Sequence, residues 1–263
     1  MRGFGLAVLL VCGCQGEQVQ NQTSDAGSDT TTTASDAQAD GTVVAGDCGT
    51  HSGGRMVRVG AFCMDVTEVT RGELRKYLLD PTHGTKALAF CSWNTTEPAP
   101  ETDDRLFDWP ASMVNFCDAA SYCAWAGKRL CGKVGGGMND LTAYNDAAKS
   151  EWFLTCTANG TQTYAYPGSY DKNRCFSEEG TSWPTGAKSD CHGASGPFAQ
   201  ILDLSGNVGE WEYSCQGSAP TRATECRYRG GTHGSGTETS CAVPWMAGAE
   251  TRLPGIGFRC CKD

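Results

Sequence analysis

At 263 residues the chain is long enough to bury a core of its own, yet it carries 34 glycines and 16 cysteines, a composition that demands many turns and favours covalent closure. Its formal net charge of −9 is uneven: residues 15–47 hold six acidic side chains and no Lys or Arg, which leaves 20 basic against 24 acidic residues over 48–263. With no basic stripe and no interleaved aromatic run, a nucleic-acid-binding surface is excluded.

The chain opens with MRGFGLAVLLVCGC, in which Arg2 precedes an apolar run from Phe4 to Val11 and then small residues and Cys14. The run is too short to cross a bilayer and has the layout of a secretory signal. Val11-Cys12-Gly13-Cys14 resembles a bacterial lipobox, whose last Cys becomes the lipidated first residue. The expectation is therefore a signal over 1–13, a lipidated Cys14 opening an acidic tether over 14–47, and one folded domain over 48–263. The tether lacks the apolar surface needed to offset its ordering entropy, so it is expected to be disordered. Gln15 after the Cys implies delivery to the outer membrane. The expected location is the bacterial cell envelope, on the periplasmic or outer surface.

Within the domain, MVRVGAFCMDV reads as extended. Thr70 and Glu73 form a capping box ahead of Leu74, Tyr77 and Leu78, predicting a helix over 70–79. A second helix is predicted from Asn115 to a stop at Gly127, burying Phe116, Ala119, Ala120, Cys123 and Ala124. A third is predicted over NDAAKSEWFLTCTANG, with Ala148, Trp152 and Cys156 on one stripe. CRYRGG and GIGFRCC supply further extended pieces. The pattern has no βαβ alternation and no run of evenly spaced strands, so the fold class is α+β with much irregular structure. The glycine run Gly132–Gly137 lacks the GK[ST] of a phosphate loop and reads as a turn. His51, His83, His192 and His233 have no Ser or Cys partner suggested by spacing.

Setting aside Cys12 and Cys14 leaves fourteen cysteines, an even number that in an exported chain predicts seven disulfides. Zinc is disfavoured because no paired CxxC spacing is present. Proximity pairs Cys175 with Cys191 and Cys215 with Cys226.

Taken in order, MDVTEVTRGELRKYL, ASYCAWAGKRL, SEWFLTC, DLSGNVGEWEYSC, RYRGG and GIGFRC resemble the successive signatures of the formylglycine-generating enzyme family, the sulfatase-modifying factor domain. The likeness spans about Met56 to Cys261. It implies a compact fold with little regular structure, distantly like C-type lectin domains, and in active members oxidation of a sulfatase Cys by O₂ at a copper ion held by two cysteines. It also implies the disulfides Cys123–Cys260 and Cys156–Cys241. Cys48, Cys63, Cys91, Cys117, Cys131 and Cys261 are left with fifteen possible connectivities. DLSGNVGE resembles the family's calcium loop, which implies a site made by Asp203, the carbonyls of Gly206 and Val208, and Glu210. A second calcium loop would begin near Asn173, where the match is poor.

The family's copper cysteines fall on Ser235 and Ser240 when counted from Arg229, or on Gly231 and Gly236 when counted back from Cys241. Neither register supplies a thiol, and Cu(I) favours thiolates over hydroxyls. Gly209 stands where the family has a Trp near the active groove. The expectation is a copper-free binding or accessory module whose groove involves Thr232, His233, Ser235, Trp245 and Arg252. Its partners would be the outer membrane through the lipid anchor and a peptide, glycan or envelope protein. The alternative is an oxidase of the formylglycine-generating type with a rearranged thiol pair, or one using iron. A purely structural envelope protein is the third reading.

Overall fold

The computed structural model describes residues 48–86 and 88–263. The signal, Cys14 and the tether expected over 1–47 lie outside the described residues. The domain is α+β: two small sheets and three short helices, joined by long irregular segments.

Strands β1 (Met56–Val59) and β2 (Phe62–Asp65) form a hairpin in which Val59 faces Phe62 across the turn. Gly60 occupies the turn at φ +59°, where a side chain would be strained and a tight hairpin needs a positive φ. Helix α1 (Arg71–Leu79) starts at the predicted capping box: Glu73 N donates to Thr70 Oγ1 and Thr70 N donates to Glu73 Oε2. Helix α2 (Phe116–Trp125) uses Asn115 and Asp118 in the same reciprocal way, and Gly127 follows at φ +75°.

Helix α3 (Glu151–Cys156) is shorter than the pattern predicts. Its cap is Ser150, whose hydroxyl accepts from Phe153 N at 3.1 Å. The preceding segment forms turns because Asp140 accepts from Thr142 N and Asp146 from Ala148 N. Such side chains offer the backbone an alternative to helix. Ala148 is consequently exposed rather than on a buried stripe.

Strand β3 (Arg129–Leu130) joins the first sheet through β8 (Cys260–Lys262), giving the order β1-β2-β8-β3. The second sheet has the order β6-β5-β4-β7, from β4 (Gly209–Cys215), β5 (Glu225–Arg229), β6 (Trp245–Gly248) and β7 (Ile256–Gly257). Here β4 and β7 run parallel and the other pairs antiparallel.

One apolar core gathers Val114, Phe116, Tyr122, Trp211, Ile256 and Phe258; another gathers Val59, Phe62, Met64, Trp152, Ile201 and Leu204. The adjacent cysteines of β8 serve both, because consecutive residues of a strand face opposite ways. Cys260 is bonded to Cys123 of α2 in the first core, and Cys261 to Cys131 in the second. The other bridges are Cys48–Cys63, Cys91–Cys117, Cys156–Cys241, Cys175–Cys191 and Cys215–Cys226. Three of the seven close loops of 85, 130 and 137 residues, each removing up to about 5 kcal/mol of chain entropy from the unfolded state in the simple polymer account.

All fourteen cysteines over 48–263 are bonded, so alkylation of the unfolded, unreduced domain should add no label. Two labelled cysteines in the mass spectrum would contradict this arrangement. Peptide mapping should recover Cys131 with Cys261 and not with Cys260.

Candidate functional site

The loop after β5 is shaped by its own short contacts. Gly230 and Gly231 sit at φ +87° and +69°. A Cβ on Gly230 would lie 2.9 Å from the carbonyl oxygen of Leu204, and one on Gly231 would lie 3.0 Å from Cβ of Ser235. The chain can double back there only as glycine. Thr232 N donates to Ser235 Oγ at 2.9 Å, and the two hydroxyls lie 3.2 Å apart. A 3-10 turn over Gly236–Thr239 follows. Ser240 Oγ then donates to the carbonyl of Thr163 at 3.3 Å, and Cys241 is held by Cys156. The Arg229 guanidinium donates to the Cys241 carbonyl, closing the loop at its base.

Thr232, His233 and Ser235 therefore stand together. His233 N donates to the Asn207 carbonyl, and the half-buried ring has its pKa lowered by desolvation, with Nδ1 lacking a hydrogen-bond partner among the described residues. Trp245 lies on β6, stacked on Tyr228 at 6.1 Å. The Tyr228 ring rests in turn on Gly209, where a Cβ would meet Cδ2 of Tyr228 at 2.7 Å. A tryptophan at 209 would collide with this ring. Arg252 bonds elsewhere again, with Asp118 at 2.9 Å and the Thr96 carbonyl at 2.5 Å. The five residues expected to line one groove thus make their contacts in three settings.

A cavity of about 370 Å³, which the sequence reading missed apart from Arg252, opens beside α1. Its sequence signal is the spacing of Arg71, Leu74, Arg75 and Leu78, which places all four on one helical face.

The four residues of the expected calcium loop are all buried, and of them Glu210 is held in an ion pair. Glu210 accepts from Arg259 Nε at 2.7 Å and Nη2 at 2.6 Å, and from Trp152 Nε1 at 2.8 Å. Asp203, at φ +64°, accepts from Gly186 N at 2.5 Å through Oδ2, while its Oδ1 has no donor. Glu68 accepts from Asn207 Nδ2 at 2.9 Å through Oε1, and its Oε2 has no donor. Burial, reinforced by the Asp203 charge, pushes Glu68 well up. Burial likewise pushes Asp203 up to about 6, against the pull of Gly186 N and Arg259. Glu210 alone bonds the Arg259 guanidinium, while Glu68 and Asp203 feel its charge at longer range. Among the described residues no group of three His, Cys, Asp or Glu side chains is arranged to hold a metal ion.

The family model described as the sulfatase-modifying factor enzyme 1-like domain matches residues 25–263. The crystal structure of CarF is similar at a TM-score of 0.50 and 18% identity, covering 78% of this chain and 88% of CarF. PvdO from Pseudomonas aeruginosa is similar at a TM-score of 0.52 and 20% identity, covering 77% of this chain and 80% of PvdO. No curated protein matches the chain. At these identities the structural likeness concerns the fold alone.

The buried carboxyls give the domain an unusual acid response. A carboxyl whose folded pKa is raised contributes stability that is complete below its unfolded pKa and is lost as pH rises through the folded one. Asp203 and Asp65, both pushed by burial to about 6, and Glu68, raised by burial, act in this direction. The carboxylates held low, among them Asp80, Glu101, Asp103 and Asp140, oppose it only nearer their ordinary range, whereas within the window His233, lowered by desolvation, opposes it and His83, raised by its hydrogen bond to the Asp80 carbonyl, adds to it. In the presence of a chelator, the denaturant midpoint should therefore rise as pH falls from about 7 to about 5, and Asp203→Asn should flatten the rise. A midpoint that falls over this window, or an unchanged rise in the variant, would contradict the assignment.

Proposed function

The chain belongs to the sulfatase-modifying factor family, and from that premise we propose that its domain is a binding or accessory module and not a copper-dependent oxidase. The observation that carries this reading is the state of the sulfurs: every cysteine over 48–263 is in a disulfide. The loop after Arg229 offers Ser235 and Ser240, hydroxyls already engaged with Thr232 and Thr163. Cu(I) favours thiolate ligands, and neutral hydroxyls of high pKa do not hold it. The residues present do not fit the family's copper ion.

Placement at the cell envelope is part of the same proposal. Seven disulfides favour an oxidising compartment, and the lipobox-like Val11–Cys14 supports a lipid anchor. Two anchoring chains on one terminus would hold the protein stably at a membrane. A peptide, glycan or envelope protein is the class of partner such a module would take.

Calcium belongs to this proposal as a structural ligand. The donorless Asp203 Oδ1 and Glu68 Oε2 are hard oxygen acceptors of the type it takes. Glu210 already holds Arg259, so the ion would share that carboxylate with the guanidinium. Calcium at one hundred times its dissociation constant should add about 2.7 kcal/mol of stability, and Glu210→Ala should abolish the shift. A melting temperature unmoved by chelation in the parent protein would remove calcium from the account.

Copper-loaded protein given a sulfatase-type cysteine peptide in air should leave its mass unchanged, with no thiol-to-aldehyde conversion. Turnover by the unaltered protein would overturn the proposal. Turnover confined to the Ser235→Cys/Ser240→Cys variant would support it, as the mark of a peptide groove that lacks only its metal.

A further inference from the structure

The cavity beside α1 has a lining that points to a ligand of definite chemistry. Leu74, Leu78, Pro98, Ala99 and Met113 give it an apolar wall. Three guanidinium groups, of Arg71, Arg75 and Arg252, meet that wall, and their charges are unequally answered. Arg71 is paired with Glu101 at 3.1 Å and Arg252 with Asp118 at 2.9 Å. Arg75 lies half-buried over the Phe107 ring at 5.6 Å and has no carboxylate partner among the described residues. Glu101 is engaged by Arg71 through Oε2 and by Thr102 N at 2.9 Å and Asp103 N at 3.0 Å through Oε1. A half-buried cation without an anion, on an apolar wall, is an open position for a negative group.

The rim carries a second and independent sign. Met113 is held at φ +59°, a left-handed conformation that an unbranched side chain adopts only when its surroundings impose it. Met113 N donates to the Leu253 carbonyl at 3.1 Å. Met113 and Leu253 are each 47% exposed, and they are two of the four large hydrophobic side chains exposed among the described residues. An adaptable thioether side chain is thereby left about half exposed in the lining of the cavity. Strained backbone of this kind gathers at ligand sites, and a cavity of about 370 Å³ lies in the size range of small-ligand pockets.

We propose that this cavity binds a carboxylate carried next to an apolar group, with the carboxylate on Arg75 and the apolar group between Leu78 and Met113. The site deepens the binding-module reading and rests on it. Its carboxylate position is on α1, remote in sequence from the loop that lacks thiols, so each can fail alone: copper turnover would strike the module reading, and the titration below strikes only the site.

The test uses the full mature chain with methyl-labelled methionine, whose Met113 resonance is assigned by its loss in Met113→Leu. N-acetylphenylalanine is titrated against its uncharged amide. The Met113 methyl should shift saturably with the acid, and the amide should bind at least about tenfold more weakly, the usual scale for losing a charge-assisted pair. Arg75→Gln, a change on a helix surface, should make acid and amide bind alike. A peptide ending in a free Phe carboxylate and an amidated peptide with an internal Asp-Phe then identify the source of the carboxylate: a chain terminus or a side chain. No shift at Met113, equal binding of acid and amide, or a preference that survives Arg75→Gln would each overturn the proposal.

Discussion

Arg259 is the interaction on which the rest of the domain depends. It is 1% exposed and directs its donors to Glu210 on β4 and to the carbonyls of Asp65 and Leu202. One side chain thereby ties the end of β2, the segment before Asp203 and the start of β4. A buried guanidinium is tolerable only while it is paired, and removing one partner of such a pair typically costs about 3–5 kcal/mol. Its neighbours in sequence repeat the constraint covalently, since Cys260 and Cys261 fix the same strand to two different cores. The last strand and the arginine just before it thus form an ionic and covalent centre.

The candidate site inherits its shape from similar buried charges. Arg229 pairs with Glu212 at 3.3 Å, lies over the rings of Tyr144, Trp152 and Phe153, and reaches the Cys241 carbonyl. The loop after β5 is therefore pinned at both ends by protein groups, with Ser235 bonded locally to Thr232 and Ser240 to the distant Thr163 carbonyl. On the first sheet, Lys128 and Asp65 form another fully enclosed pair at 2.6 Å, with Cys260 N donating to the second Asp65 oxygen.

How much of this the sequence discloses follows from the range of each interaction. Helices α1 and α2 are legible because Thr70–Glu73 and Asn115–Asp118 are caps closed within four residues. The start of α3 is misread because the Asx turns at Asp140 and Asp146 compete with an apolar spacing that looks helical. The links Cys48–Cys63, Cys91–Cys117 and Cys131–Cys261 depend on tertiary neighbours, so spacing alone leaves them open. The division of labour between Cys260 and Cys261 does have a local signal, the alternation of a strand. The contacts of Trp245 and Arg252 are hidden for another reason: Trp245 stacks on Tyr228 through strand pairing, while Arg252 is paired with Asp118, 134 residues away. The partner of Glu210 is equally hidden, lying 49 residues further along the chain. Arg75 and Met113 escape notice because a free charge and a strained φ become visible only in three dimensions.

The central claim is a sulfatase-modifying factor scaffold whose loop has no thiolate to offer a soft metal. Competition for Cu(I) against a colourimetric chelator, under ascorbate so that disulfides stay closed, tests it most directly. The account predicts that the chelator keeps its copper, and that X-ray absorption of any protein-associated copper shows no sulfur shell. One equivalent of Cu(I) withdrawn from the chelator, with two sulfur neighbours, would contradict it.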